Sequence, residues 1–194
     1  NVPFVKDVLT MKDLLKSLGS KVEIIKEKKI IKITNNKKHK LIVPYNLVST
    51  MRAGVLTMGP LLARYPKSKI KVALGGGCAL GVRDTSWHLS GFKSLGADNT
   101  LNRGYVNIYS KNGLKGNIFK FPKVTVTGSS NLIMASVLIK GEHIIKNISI
   151  EPEVKDLIKF LNNSGAQIKF IGKRSIKVYG VNELIDGDHT IIGD

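Results

Sequence analysis

The chain's one cysteine lies in a glycine-rich stretch that follows an apolar, strand-like segment. Residues 71–83 read KVALGGGCALGVR, with three glycines before Cys78, then Gly81 and Arg83 after it. Glycine permits positive φ and lets the backbone approach a ligand closely. A nearby arginine favours the thiolate, the reactive form of cysteine. Most free cysteines are small buried hydrophobes, but this setting favours a chemical role for Cys78 on a loop.

Arginine is scarce in this sequence and clusters near the cysteine. Three of the arginines, Arg52, Arg64 and Arg83, fall between residues 51 and 83. The planar guanidinium group suits carboxylate and phosphate, so the clustering indicates an anionic small molecule. Arg52 lies near the start of a segment that is apolar around most of its surface, and a structural ion pair is as good an interpretation there as anion binding.

A hydroxyl-rich segment forms a second candidate site. Residues 122–130 read PKVTVTGSS and precede a predicted helix at residues 131–139. Side-chain oxygens cap helix starts, and the free backbone N–H groups there bind phosphate. Taken alone, the segment is more simply interpreted as an ordinary N-cap.

Composition narrows the class of protein. The chain has 194 residues, 42% of them hydrophobic, and a formal net charge of +17. Its lysines are evenly spread and few aromatic residues lie between them, which favours solvated faces over a nucleic-acid platform. A single cysteine excludes an internal disulfide and a multi-cysteine metal site. We expect no metal or cofactor, no membrane partner, and a soluble cytoplasmic protein.

Periodicity and turn signals predict an alternating α/β chain. Helices are predicted at residues 5–18, 46–64, 86–95, 131–139 and 152–163. Strands are predicted at residues 21–25, 29–34, 41–45, 69–74, 98–101, 105–109, 117–121, 143–150, 167–171 and 175–179.

Three similar segments reveal an internal repeat. Helix ends at Gly19, Gly96 and Gly165 are each followed by two short strands, at spacings of roughly 70 to 80 residues. The repeating unit is strand, helix, strand, helix, strand, strand. Repeats of this length favour a closed α/β domain with pseudo-threefold symmetry over an open solenoid. The first unit is expected to lack its opening strand, so that the domain is incomplete at the N-terminus.

With these motifs the sequence resembles the UDP-N-acetylglucosamine 1-carboxyvinyltransferases, of the EPSP synthase-like family. The resemblance covers essentially all 194 residues. It is carried by residues 1–3, 51–53, 59–64, 76–83, 88–89, 123–124, 147 and 151–153. It implies that residues 1–194 form most of the first of two EPSP synthase-like domains, with the second domain of the full-length chain absent here. The fold that the resemblance implies for this domain is an inverse α/β barrel-like arrangement of the repeated units.

The resemblance also implies the reaction: transfer of an enolpyruvyl group from phosphoenolpyruvate to the 3-hydroxyl of UDP-N-acetylglucosamine, the first committed step of peptidoglycan synthesis. Cys78 would protonate the methylene of phosphoenolpyruvate and could form a covalent adduct with it. Arg52 and Arg83 would balance phosphate and carboxylate charge. The nucleotide-sugar would be bound by Arg83, Asp84, Thr85, Ser86 and Trp87 and by Lys123, Val124, Thr125 and Val126.

The sequence departs from the family pattern at the nucleotide-sugar segments. Ser86 stands where the family has a carboxylate for uridine, and Asp84, two positions away, is the candidate replacement. Thr127 stands where the family usually has glycine. Three alternatives therefore stay open: an enzyme of the 5-enolpyruvylshikimate-3-phosphate type, a catalytically inactive paralogue, and a lysine-rich nucleic-acid-binding module, which a salt titration would reveal.

Overall fold

The computed structural model describes residues 2–35, 38–49, 51–74 and 85–193, with the side chain of Arg52 outside the description. The first half of the chain contains α1 (Lys6–Leu18), β1 (Lys21–Ile25), β2 (Ile30–Thr34), β3 (Ile42–Val43), α2 (Tyr45–Val48), a 3-10 helix (Arg52–Thr57), α3 (Met58–Arg64), β4 (Ile70–Ala73) and α4 (Ser86–Ser94). The second half contains β5 (Asp98–Asn102), β6 (Tyr105–Tyr109), β7 (Ile118–Lys120), α5 (Val126–Ser136), β8 (Glu142–Lys146), α6 (Pro152–Asn163), β9 (Gln167–Gly172) and β10 (Ser175–Tyr179).

Two four-stranded sheets share one topology. Their strand orders are β3-β4-β6-β5 and β7-β8-β10-β9. In each sheet the first two strands are parallel, joined by a helical crossover, and the remaining pairs are antiparallel. The pair β1-β2 is antiparallel and corresponds to the closing hairpin of the other two units. The predicted α/β repeat is therefore confirmed in the second and third units.

The repeated glycines have the backbone conformation that ends a helix. Gly19, Gly96 and Gly165 have φ values of 108°, 89° and 93°. L-residues with a Cβ are strained in this left-handed region, whereas glycine is not. The same helix-to-strand turn therefore recurs in all three units.

The predicted helix over residues 46–64 is interrupted. The chain instead forms α2, the 3-10 helix and α3 in succession. Pro60 has no backbone N–H and is accommodated in the first turn of a helix but not in its interior. The chain also folds back tightly at Gly54, where an added Cβ would lie 2.4 Å from Val48 Cγ1.

Helix α5 begins five residues earlier than the predicted start at residue 131. Thr125 is its N-cap, and its hydroxyl accepts a hydrogen bond from the Gly128 N–H at 3.2 Å. Ser129 and Ser130 lie inside the helix and donate to the carbonyls of Thr125 and Val126 one turn back. The hydroxyl-rich segment therefore supplies one cap rather than a row of capping oxygens.

Helix α5 is the central element of the core. It contacts α3, α4, α6 and the 3-10 helix. Leu132 and Ile133 on α5 are almost completely buried, as are Phe92 on α4 and Leu62 on α3. Each such side chain contributes about 1.5–3 kcal/mol when removed from water. The helix starts that carry the candidate site are therefore fixed to the best-packed part of the molecule.

The charged residues lie outside this core. The described lysines are exposed, apart from Lys12, Lys71 and Lys177, which are half-buried. The solvated lysine faces predicted from the sequence are therefore confirmed for this part of the chain. Across the described ranges, no helix is long and apolar enough to cross a membrane.

Candidate active site

Several predicted site residues lie outside the described residues. Cys78, Arg83 and Asp84 belong to residues 75–84, and only the backbone of Arg52 is described. Their roles stay predictions. Thr85 to Trp87 and Lys123 to Val126 can be placed.

Thr85 to Trp87 form the start of α4. The Thr85 carbonyl accepts hydrogen bonds from the backbone N–H groups of His88 and Leu89, each at 3.1 Å. Ser86 is exposed, whereas Trp87 is half-buried and packs against the core. Thr85 to Trp87, which follow the cysteine-bearing segment in the sequence, therefore belong to the first turn of a well-packed helix.

Lys123 to Val126 lead into α5. Lys123 and Val124 are exposed, and Thr125 and Val126 are half-buried. A helix start carries partial positive charge and unpaired backbone N–H groups, which attract anions. The exposed lysine beside this helix start provides the chemistry that a diphosphate needs, although one of the N–H groups, that of Gly128, is already bonded to the Thr125 hydroxyl.

A polar network joins these two helix starts. His88 on α4 is buried, with 5% of its surface exposed. Its Nε2 lies 3.3 Å from Thr127 Oγ1, and its Nδ1 lies 2.9 Å from Asn131 Nδ2. The structure therefore brings the segments at Thr85 to Trp87 and Lys123 to Val126 together through the side chains next to them.

Asn131 extends the network to the third candidate segment. Its Oδ1 accepts a hydrogen bond from the Gly59 N–H at 2.7 Å, and its Nδ2 donates to the Val55 carbonyl at 2.9 Å. Val55 belongs to the 3-10 helix that begins at Arg52. The 3-10 helix that begins at Arg52 is thus bonded, at Val55, to the same buried side chain that contacts His88.

Neither Asn131 nor a site role for His88 was predicted from the sequence. His88 was noted only as part of a family motif, and Asn131 lies in an otherwise apolar predicted helix. The available signal was the polar Asn131 among apolar helix positions, because a polar side chain that is buried needs hydrogen-bonding partners. The identity of those partners could not be obtained from spacing along the chain.

An apolar groove lies beside the network. It has a volume of about 660 Å³ and runs between α1, α3, α5 and α6. Of the predicted site residues that the structure describes, Val126 lines it. Its polar groups include His39, whose pKa is lowered by burial first and by the Arg64 charge second. Arg64 and Glu153 also line the groove, so its mostly apolar wall carries charged groups of both signs.

These features agree with what comparison with known proteins finds. A family model for EPSP synthase (3-phosphoshikimate 1-carboxyvinyltransferase) matches residues 1–194. The chain therefore belongs to the EPSP synthase family.

Within that family, several similar curated relatives carry the name UDP-N-acetylglucosamine 1-carboxyvinyltransferase. The relative from Pelagibacter ubique (strain HTCC1062) is 47% identical over 194 residues, and that from Dinoroseobacter shibae (strain DSM 16493 / NCIMB 14021 / DFL 12) is 40% identical. The alignments cover 100% of this chain and 46% of each relative. The chain thus spans about half the length of the curated relatives it matches.

Solved structures show the same fold. The enolpyruvyl transferase NikO from Streptomyces tendae matches with a TM-score of 0.76 at 13% identity, over 93% of this chain and 41% of that chain. An EPSP synthase from Acinetobacter baumannii matches with a TM-score of 0.69 at 18% identity, over 91% of this chain and 40% of that chain. At such identities the matches establish the fold alone, and they confirm the predicted EPSP synthase-like architecture.

Proposed function

We propose that the full-length protein transfers the enolpyruvyl group of phosphoenolpyruvate to the 3-hydroxyl of UDP-N-acetylglucosamine, with release of phosphate. The observation that carries this proposal is the 47% identity over all 194 residues to a protein named for that activity. The shared name of the other relatives supports the same substrate. The family description alone would also allow a 3-phosphoshikimate acceptor.

In the proposed reaction Cys78 acts as an acid. It protonates the methylene carbon of phosphoenolpyruvate, and the adjacent carbon becomes an electrophilic, oxocarbenium-like centre. The sugar 3-hydroxyl oxygen attacks that centre and loses its proton, which gives a tetrahedral ketal. The ketal then expels phosphate, which leaves with the proton of the sugar hydroxyl, and a methyl proton returns to the Cys78 thiolate, which restores the vinyl ether and the thiol. A thiol with a pKa near neutral suits this proton transfer.

Charge on the substrates is balanced by cations and helix starts. Arg52 and Arg83 are proposed to face the phosphate and carboxylate groups, where fixed positive charge stabilises the transition state. Lys123 is proposed to meet the diphosphate, because its side chain is exposed beside the start of α5. Thr85 to Trp87 would line the nucleotide from α4, with Asp84 as the uridine-binding carboxylate in place of Ser86.

The setting of the reaction follows from its substrates. The product would enter peptidoglycan synthesis, and so cell-wall biogenesis, cell shape and division. A catalytic thiol favours a reducing compartment, the cytoplasm. A second domain of the same chain would close over the substrates, since the relatives are about twice as long as this chain.

Phosphate release by the full-length protein tests the proposal. Wild type and Cys78→Ala are compared with phosphoenolpyruvate alone, with added UDP-N-acetylglucosamine, and with added shikimate-3-phosphate. We expect release only with the UDP-sugar, and a loss of about 10²-fold or more in Cys78→Ala. Ser136→Ala serves as a small-residue control, because among the described residues its hydroxyl bonds within α5, to the Ile133 carbonyl.

Each alternative result has a defined meaning. Release that depends on shikimate-3-phosphate would replace the proposed acceptor. Release that is unchanged in Cys78→Ala would remove the cysteine from the mechanism. Absence of release from the intact wild-type protein with either acceptor would refute the transferase.

A further inference from the structure

We infer that His88 and Asn131 are positioning residues that hold the three substrate-facing segments in one arrangement. The inference rests on the proposed function, because those segments are the ones assigned to the arginine and nucleotide-sugar sites. Neither residue is assigned contact with substrate. Their effect would be transmitted through the backbone of the helices that they connect.

The orientation of the Asn131 amide is fixed by two backbone groups. The Gly59 N–H donates to Oδ1 at 2.7 Å, and the Val55 carbonyl accepts from Nδ2 at 2.9 Å. Rotating the amide by 180° would place a donor against a donor and an acceptor against an acceptor. Asn131 is fully buried, so water cannot replace either partner.

This orientation determines the tautomer of His88. The Asn131 amide N–H also faces His88 Nδ1 at 2.9 Å, so Nδ1 must accept. In a neutral imidazole the proton then resides on Nε2, which lies 3.3 Å from Thr127 Oγ1 and donates to it. One directed chain of hydrogen bonds thus runs from Asn131 through His88 to Thr127.

The chain of bonds reaches each predicted substrate segment within a few residues. His88 directly follows Trp87, and Thr127 directly follows Val126. Val55 lies three residues after Arg52 on the same 3-10 helix. Breaking the His88–Thr127 bond would therefore loosen the two nucleotide-sugar segments relative to each other. Changing Asn131 would release the 3-10 helix as well.

The two perturbations make different kinetic predictions for the full-length enzyme. Thr127→Val removes the hydroxyl while keeping the shape of the side chain. We expect the KM for UDP-N-acetylglucosamine to rise about three- to tenfold, with kcat and the KM for phosphoenolpyruvate within about twofold of wild type. Thr127→Ser restores the hydroxyl and should restore the KM. Asn131→Asp should raise the KM of both substrates, because the helix carrying Arg52 is also released.

The control is Asn162, whose amide also bonds a backbone N–H and a backbone carbonyl, but of a single residue and at a more exposed position than Asn131. Asn162 also bridges two backbone groups: its Nδ2 donates to the Ile168 carbonyl at 3.0 Å and its Oδ1 accepts from the Ile168 N–H at 2.9 Å. It joins α6 to β9, away from the predicted substrate segments. Asn162→Asp should therefore lower the thermal midpoint without changing either KM.

A spectroscopic measurement tests the network without relying on turnover. In ¹⁵N-labelled full-length protein, His88 Nδ1 should have the shift of an unprotonated ring nitrogen and Nε2 that of a protonated one. In Asn131→Asp a carboxylate oxygen replaces the amide N–H, so a proton should move onto Nδ1. This readout also applies if Asn131→Asp is too unstable for kinetics, because the wild-type tautomer is itself predicted.

The possible outcomes separate this inference from the function on which it rests. A wild-type Nδ1–H tautomer, or an unchanged UDP-sugar KM in Thr127→Val, overturns the positioning role and leaves the transferase standing. An equal rise of that KM in Thr127→Ser also overturns it, because the hydroxyl is present there. A wild-type enzyme that shows the expected tautomer but no UDP-sugar-dependent phosphate release refutes the proposed function and the positioning role together.

Discussion

Replacing Gly59 with alanine should disrupt the contact between α3 and α5. An added Cβ at Gly59 would lie 2.2 Å from the Asn131 backbone oxygen and 2.6 Å from Asn131 Oδ1. Real Cβ contacts are not this short, so the helices must move apart. Because the closest atom belongs to the backbone of a buried helix, no side-chain rotation can relieve the clash.

The expected loss of stability follows from three effects. Overpacking costs about 1–3 kcal/mol and weakening of the buried bond from the Gly59 N–H about 1–2 kcal/mol, while alanine's better helix propensity offsets about 0.5–1 kcal/mol. The free energy of unfolding should therefore fall by roughly 1–4.5 kcal/mol, with a central value of about 3 kcal/mol. For a domain of 194 residues, a loss of this central value lowers the thermal midpoint by roughly 5–10 °C.

Gly91→Ala is the matched control for this experiment. Gly91 lies on α4 and also faces α5, but its added Cβ would meet the Leu132 methyl groups at 3.1 and 3.2 Å. A flexible side chain can adjust where a backbone cannot, so Gly91→Ala should shift the midpoint by no more than about 2 °C. Thermal unfolding of the full-length proteins measures both. Equal midpoints for the two variants would refute the backbone-clash reasoning.

Two further predictions concern pH and capping. Burial lowers the pKa of His143 in the folded protein, and the hydrogen bond to the Ile139 carbonyl partly opposes this shift. As pH falls below about 6.5, the unfolded chain therefore takes up a proton at this histidine before the folded protein does. The free energy of unfolding should decrease as a result between about pH 6.5 and about pH 5. In His143→Gln the thermal midpoint should fall less steeply with decreasing pH over that range. Part of the pH dependence should remain, because burial also lowers the pKa of His39. A pH dependence equal to that of the wild type would contradict the role of His143. Thr125→Ala removes the acceptor for the Gly128 N–H and should cost about 1 kcal/mol in chemical denaturation. Thr125→Ser keeps the oxygen and should lose less than half as much, and equal losses would show that the cap is not responsible.

Local sequence signals predicted most helices and strands closely. Helix α6 and the strands β1, β6 and β10 match their predicted bounds, since a strong apolar period and flanking turn residues act over a few residues. The repeated helix-ending glycines also indicated the shared topology of the two sheets. The predicted single helix over residues 46–64 is wrong because the apolar content of the segment does not outweigh Pro60, which fits only the first turn of a helix. The predicted start of α5 is wrong because Thr125 is the N-cap, while Ser129 and Ser130 lie inside the helix.

The sequence by itself determined the repeated α/β unit, the family and the segments that carry the candidate chemistry, because these depend on residue types and short spacings. Only the tertiary structure showed what holds those segments together. Asn131 lies 72 residues from Gly59, 76 from Val55 and 43 from His88 along the chain. A side-chain amide bonds whichever donors and acceptors packing brings within about 3 Å, and which residues those are is decided by how the helices pack.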